Sequence, residues 1–481
     1  MADAVDVAVI GAGISGLTLA FHLQKRGARV AVLEAADRPG GAIGSRHEDG
    51  FLVEAGPNSM LETTPLIGDL VREVGLEHQL LVASPAAKKR FILRDGRLTP
   101  LPMSPGAFLG TRLFSAGAKL RLFREPFVKP PPPSFEETVA QFVRRRLGEE
   151  FLDYAINPFV AGVYAGDPER LSARAAFPKL VELEQRYGSL IRGQIKGARE
   201  RRARADQSKQ TARMLSFWNG MQSLTDAVAA KLADVRVATP VVGLAPLAQG
   251  GFLVRCNPRH GGAAREVHAR AVVVAVPAYA AAALVAPLSA AVARELEAIV
   301  YPPVASAVFG FRRSSLKHPL DGFGFLVPAV EHRRILGTIF SSTLFPNRAP
   351  EHHVALTTFV GGMRQPDLAT SNEEAVSLTV RAELKPLLKV KSSPVMTALT
   401  CWERAIPQYE LGHLDRMERI AALERDHPGL AFCANWRGGI SVGDCVKSAA
   451  SAAAKVADYL AVAPPLPKPD ATTARGGETI S

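Results

Sequence analysis

The sequence predicts an α/β chain of several domains, an α+β assembly in which one parallel sheet is joined by a second, mixed sheet and a helical insertion. Three observations predict this. A glycine-rich turn, "GAGISG" at residues 11–16, stands between an apolar strand-like run and a helix-like run. Strand-like runs return after residue 234 and again between 300 and 410. Between the first and second of these regions lies a long stretch of proline-rich turns and Phe-, Leu- and Arg-rich segments with helical spacing. A chain of 481 residues buries a large core and divides into about two to four domains.

Taken in order, "VDVAVI" (5–10) reads as a buried strand, "SGLTLAFHLQKRG" as a helix and "ARVAVLE" as a second, parallel strand, which together make a βαβ unit. Residues 86–95 read as a strand apart from that unit. "PSFEETVAQFVRRRLGEEFLDYAINPFVAGVY" reads as a helix pair, with Ser134 as N-cap and Glu137 closing a capping box. Residues 187–213 are polar and basic, with disorder expected at their end. The α/β texture resumes with "VRVATPVVGL", "GFLVRC" and "AVVVAVP". The uncharged run 271–293 is long enough to span a membrane, but Pro277 and Pro287 interrupt it, so a buried strand, a loop and a short helix are expected. "GFGFLVP", "ILGTIF" and "HVALTTFVGG" then read as strands of the second sheet, and the tail 464–481 as a disordered, low-complexity segment. No solenoid-type repeat is present.

The net charge is +12, and it is local: residues 86–213 hold 25 Lys and Arg against 13 Asp and Glu, leaving 33 of each sign elsewhere. Such a segment can face anionic lipid, acidic small molecules or solvent; no nucleic-acid module accompanies it, so nucleic acid is not expected as a partner. Cys256, Cys401, Cys433 and Cys445 have neither CxxC nor metal-site spacing, so no metal is expected. The start "MADAVDVAV" has no basic region before its apolar run, which predicts no secretory signal and a cytoplasmic protein.

Gly11, Gly13 and Gly16 have GxGxxG spacing in the required strand–turn–helix context, so that a pyrophosphate can approach the turn and lie at the helix N-terminus. Glu34, at the end of the second strand, suits a ribose with both hydroxyls free. The continuation through Ala35, Arg38, Gly40 and Gly41 forms a second tight turn. This E-A-x-x-R-x-G-G pattern resembles the flavin-containing amine oxidase superfamily. The resemblance implies non-covalent FAD extended across a Rossmann-like domain. Its contacts would fall on Gly11, Ala12, Gly13, Ile14, Ser15, Gly16, Glu34, Ala35, Arg38, Gly41, Ala42, Gly56, Pro57, Asn58 and Ser59. Val241, after Pro240, would meet the adenine end, and Asn435, Ile440, Ser441 and Val442 of "ANWRGGISVGDC" would return to the ring end.

Within the superfamily, "EAGPNSM", "AAKKRFILRDGRL", "GVYAGDPERLS", "DGFGFLVP", "LGTIFSSTLFPNRAP", "TTFVGG" and "RGGISVGDC" resemble the oxygen-dependent protoporphyrinogen oxidases, in order and over nearly the whole chain. That family resemblance implies removal of six electrons from a porphyrinogen in three rounds, each using one oxygen and releasing one hydrogen peroxide. It implies that Leu326, Ile339 and Phe359 clamp the macrocycle, that Arg90 pairs with a propionate and that Gly166 offers backbone to the substrate. Leucine is the family's residue at the Ile339 position. Asn58 either faces the reacting carbon or holds backbone, and no dedicated acid–base pair is evident. The resemblance further implies a discontinuous flavin domain (1–85, 206–285, 416–463), a substrate domain (86–95, 286–415) and a helical insertion, 96–205, docked on the cytoplasmic face of a membrane. A homodimer and handover of product to ferrochelatase are expected on the same ground. The rival readings are a coproporphyrinogen oxidase, a flavin amine oxidase or desaturase, and an inactive flavoprotein scaffold; Cys433 and Cys445 lie near enough to the C-terminal loop to raise covalent flavin attachment.

Overall fold

β1 (Asp3–Ile10), α1 (Ile14–Lys25) and β2 (Val30–Leu33) form the expected βαβ unit, with β1 and β2 parallel in register from Val7↔Val30 to Ile10↔Leu33. The structure is a computed structural model describing residues 3–132, 134–204, 212–259 and 263–466. On the far side of β1 runs the parallel strand Arg265–Val274. Its first half pairs antiparallel with Phe252–Cys256 and its last three residues parallel with Leu430–Phe432, so distant stretches of chain complete one sheet.

Both faces are covered at the parallel centre of this sheet, which is why residues 7–10, 30–33 and 271–274 read as unbroken apolar runs. Val7, Val9, Val30, Val32, Ala271 and Val273 point into one core, shared with α1 and the C-terminal helix Val442–Val462. Ile10, Ala31, Leu33, Val272 and Val274 point into the other, against Ala278–Val285, Ala290–Glu297 and His413–Asp426. The run 271–293 is therefore the end of a buried strand followed by two short helices. Among the described residues no helix is long and apolar enough to cross a membrane.

The second sheet has the order Met396–Trp402, Val304–Arg312, His353–Gly361, Gly337–Ile339, Gly324–Leu326, Arg90–Arg94, Arg97–Pro100. Its pairings are antiparallel except that of Gly324–Leu326 with Arg90–Arg94, which is parallel, so the sheet is mixed.

The segment between residues 105 and 204 is helical, around a core that includes Phe114, Phe142, Phe151 and Val160. Here one expectation is corrected. The helix Val139–Arg146 is capped by Thr138, whose hydroxyl accepts from Gln141 N while the Gln141 side chain accepts from Thr138 N. Two consecutive S/T-x-x-E/Q patterns compete, and the acids of the first have other work: Glu137 binds Arg145, and Glu136 accepts from Ser172 Oγ and Gly412 N. Ser134 is thus not a cap. The buried guanidinium of Arg146 sits between Glu125 and Glu184, and Glu125 also accepts from the amides of Leu190 and Ile191 at the start of Leu190–Arg204. The ends expected to be disordered, about 205–211 and 467–481, lie outside the described residues.

Candidate active site

The glycine turn closes on itself tightly. A Cβ added at Gly16 would collide with the Gly11 carbonyl oxygen, whereas one added at Gly13 would meet nothing within 4 Å. Gly13 is also the N-cap of α1; no side chain caps this end and its first turn holds no acid. The turn therefore presents helix amides, and the space over Gly13, to whatever anion lies there. Glu34 accepts from Ala12 N at 2.7 Å and from Ala36 N at 2.8 Å, joining the end of β2 to this turn. Thr239 N donates to the Glu34 carbonyl, which brings the approach to Val241 alongside Glu34; Val241 itself is half-buried at the start of an edge strand.

The second turn packs on the first, since Gly40 N donates to the Ala12 carbonyl. Arg38 does not reach outward: its guanidinium donates to the carbonyls of Pro39, Ile43 and Gly41 and so holds the turn that carries Gly41 and Ala42. Ala35 is exposed beside it. Residues 55–59 form a partly exposed turn, in which Gly56 leaves room only for Ala42 backbone and Pro57 and Ser59 flank Asn58. Asn58 Nδ2 donates to the Gly56 carbonyl at 3.2 Å, so its amide is engaged within the turn.

The far end of the chain meets the same place. Ser441 caps the helix Val442–Val462, accepting from Asp444 N at 3.1 Å. Val442 packs in the core that holds Ile14, and Cys445 lies against Ser15. Ile440 packs instead with Leu326 and the helical segment. The loop is held by Tyr409, a residue with no sequence signal of its own: its hydroxyl donates to the Asn435 carbonyl at 2.6 Å and accepts from Gly439 N at 3.0 Å. Burial pushes this phenol well above its usual range, so it stays a donor. Burial likewise pushes the Cys433 thiol up to about 12 and the Cys445 thiol up to about 11, keeping both protonated and unreactive.

Strand register decides what the mixed sheet contributes. Arg90, Gly324, Ile339 and Thr357 form one row; two residues along, Ile92, Leu326, Gly337, Phe359 and Ser306 form another. Side chains two residues apart share a face, so Arg90, Ile339, Leu326 and Phe359 lie on one face. The row between them, with Phe91, Phe325 and Ala307, fills the core on the opposite face. Leu326, Ile339 and Phe359 are half-buried and Arg90 is exposed, its guanidinium 5.7 Å from the Phe323 ring centre. Leu326 leans over Gly162, where an added Cβ would come within 2.5 Å of it. Gly166 is buried beneath the Gln408 side chain, next to Ala165, which packs with Phe359.

Two sheets, two glycine turns and a returning C-terminal loop are an arrangement that known proteins share. The pattern of the family described as flavin containing amine oxidoreductase matches residues 14–457. The chain belongs to this family. This flavin-containing oxidoreductase is 35% identical to the chloroplastic protoporphyrinogen oxidase of Nicotiana tabacum, over 95% of this chain and 86% of that one. It is 27% identical to the coproporphyrinogen III oxidase of Bacillus subtilis, over 94% and 98% of the two chains. A crystal structure from Exiguobacterium, provisionally assigned as a protoporphyrinogen oxidase, superposes with a TM-score of 0.78 at 24% identity, covering 96% of this chain and 99% of its own. The cofactor of the oxidoreductase is FAD. The open space over Gly13, the uncapped helix end and the Glu34 carboxylate fit its pyrophosphate and ribose.

Proposed function

We propose that this oxidoreductase converts protoporphyrinogen IX to protoporphyrin IX, a loss of six electrons and six protons to three oxygens, giving three hydrogen peroxides, in tetrapyrrole biosynthesis. The observation that carries the reading is its near-full-length likeness to plant protoporphyrinogen oxidases, at 35% identity for the tobacco enzyme against 27% for the B. subtilis coproporphyrinogen oxidase. Bound FAD supplies a two-electron acceptor that oxygen regenerates.

The chain's own residues supply position and dryness. The phenyl of Phe359 and the aliphatic Leu326 and Ile339 clamp a flat macrocycle, and Arg90 offers a propionate the two-pronged pairing that a lysine lacks. Of the residues that the two rows bring together, Arg90 alone is basic, which suits a substrate with its carboxylates on one side better than one with four. The FAD contacts are the residues of the two glycine turns, of 56–59, Val241 and the loop from Asn435 to Val442. Gly166 acts through its backbone, and Asn58 holds the turn rather than moving a proton.

The helical insertion faces a membrane. Its exposed side carries Leu109, Leu120, Phe123 and Phe127, the last two 71% and 79% exposed, among Arg121, Arg124 and Lys129. Apolar side chains at this exposure, interleaved with cations, suit peripheral contact with anionic lipid. In this reading the enzyme is a homodimer on the cytoplasmic face of the membrane, where it releases a poorly soluble product towards ferrochelatase.

The experiment is an aerobic comparison of the purified yellow protein on protoporphyrinogen IX and coproporphyrinogen III, following porphyrin fluorescence and peroxide. Faster turnover of protoporphyrinogen with three peroxides per porphyrin is expected. A preference for coproporphyrinogen overturns the substrate, and turnover of neither overturns the porphyrinogen assignment.

A further inference from the structure

We propose that Arg348 is a positioning residue for the turn at 55–59, holding it from the mixed-sheet side through a buried ion pair with Glu54. Glu54 ends the strand Phe51–Glu54 and is the residue from which the turn departs. Arg348 ends the short helical turn Pro346–Arg348, between two strands of the mixed sheet. Both side chains are buried. Arg348 Nη2 lies 2.8 Å from Glu54 Oε1, 2.6 Å from Ser216 Oγ and 3.4 Å from the Asn58 carbonyl oxygen. The carboxylate is otherwise saturated, Oε1 by Met221 N at 3.0 Å and Oε2 by Ser45 Oγ at 2.5 Å.

Burial raises the Glu54 carboxyl and lowers the Arg348 guanidinium, so each resists its own charged form; their mutual attraction offsets this, helped at Glu54 by the hydrogen bonds from Ser45 and Met221. A buried pair of this kind is poor value as a stabiliser, because well-packed apolar residues of similar size do as well or better. What apolar residues cannot do is fix direction. One guanidinium nitrogen, Nη2, here aims at acceptors on two separated segments, the 54–58 stretch and Ser216. A second arm leaves the same sheet: Trp402 Nε1, at the end of Met396–Trp402, donates to the Ala55 carbonyl at 2.8 Å. Both arms start from the mixed-sheet side, one on the turn between two strands and one at a strand end, and both reach the 55–59 turn, whose residues 56–59 are expected to contact FAD. The turn's height is thereby tied to the face that holds the substrate.

The kinetic part of this inference rests on the porphyrinogen reading; the structural part does not. If the pair positions the turn, loosening it lowers kcat while KM stays, since binding at the clamp is untouched. The test uses the flavin-loaded enzyme and two variants, Arg348→Lys and the double apolar variant Glu54→Met with Arg348→Met. Hydrogen exchange of the peptide covering 55–59 is expected to be at least about tenfold faster in Arg348→Lys, with kcat down about tenfold and KM within about twofold. The double variant is expected to melt within a few degrees of wild type yet keep the low kcat. A merely structural pair would instead let the double variant recover activity with its stability. Unchanged exchange at 55–59, or kcat within twofold of wild type in either variant, overturns the proposal, and Arg348→Lys decides alone if the double variant does not fold. Should wild type oxidise no porphyrinogen, the substrate reading fails, and exchange at 55–59 still decides the positioning role.

Discussion

The two sheets differ in how much of themselves they keep for structure. At the parallel centre of the first sheet, residues 7–10, 30–33 and 271–274 alternate between two cores, so no side chain is left over there, and the proposed ligand contacts fall to turns, amides and the carboxylate of Glu34. In the mixed sheet one face is core; the other is closed where Val308, Ala355, Met396 and Ala398 pack with Phe51 and Val53, and more open over half-buried Leu326, Ile339 and Phe359 with exposed Arg90. A sheet covered on both sides is therefore proposed to bind with backbone, where a single added carbon is decisive. One left partly open on one face is proposed to bind with side chains, where losses are graded.

The largest effects belong to the first kind. Gly16→Val drives a side chain into the Gly11 carbonyl and separates α1 from its sheet, so colourless or insoluble protein is expected on expression. Gly13→Ala sharpens the point, because its methyl meets no protein atom. It should leave the melting temperature of the flavin-free protein within about 2 °C of wild type while weakening FAD binding by roughly 100-fold, measured by titrating apoprotein with FAD. Equal losses of stability in the two variants would erase the distinction between packing and ligand glycines.

Next comes a pH effect at the joint between the sheets. His413 is buried and stacks on Tyr409 with ring centres 4.2 Å apart. Burial, then the charge of Arg416, lowers its pKa from 6.5 to about 4. The folded chain thus holds the imidazole neutral where the unfolded chain would protonate it, and stability falls as pH drops from 6.5 towards 4. The full effect is about 3 kcal/mol. Because Tyr409 anchors the C-terminal loop, acid should release flavin as well. His413→Phe keeps a ring on Tyr409 and is expected to flatten the loss of melting temperature between pH 7 and pH 5; an unchanged slope would assign the acid sensitivity to other groups.

Arg90→Ala tests the graded side. Its side chain is exposed and forms no ion pair or hydrogen bond among the described residues, so stability should not change. Loss of a charge-assisted pairing with a propionate should raise KM by about 10- to 100-fold with kcat within a few-fold. The dimethyl ester of the porphyrinogen, which has no carboxylate to lose, should be oxidised equally by both proteins.

The same contrast explains what was legible in the sequence. The unit β1–α1–β2 and its glycine turn were readable because pattern, spacing and burial all act within about thirty residues. The sharing of one face by residues 90, 326, 339 and 359 was not, since it depends on register across four strands; only the family resemblance named these residues together. Tyr409 as the anchor of the C-terminal loop and the Glu54–Arg348 pair had no local signal, because the hydrogen bonds that define these roles join residues 26 or more positions apart. At the Thr138 cap the local signal was present twice, and tertiary partners of Glu136 and Glu137 selected the second.

The smallest effect is expected at Ile339, where the related family carries leucine. The two side chains have equal volume, so replacement costs little in packing, less than about 1.5 kcal/mol. Ile339 is half-buried among Ala87, Phe323, Leu344 and Phe345, at the Arg90 end of the face. Moving the branch from Cβ to Cγ takes a methyl away from the strand and places it one bond further out over the face. Ile339→Leu should therefore change KM for protoporphyrinogen by less than about threefold and leave kcat and melting temperature alone. A change much larger than this would mean that the macrocycle rests against the β-branch itself. The clamp would then be shaped to this chain's own residue, and the mixed-sheet face would bind with the same one-carbon sensitivity as the glycine turns.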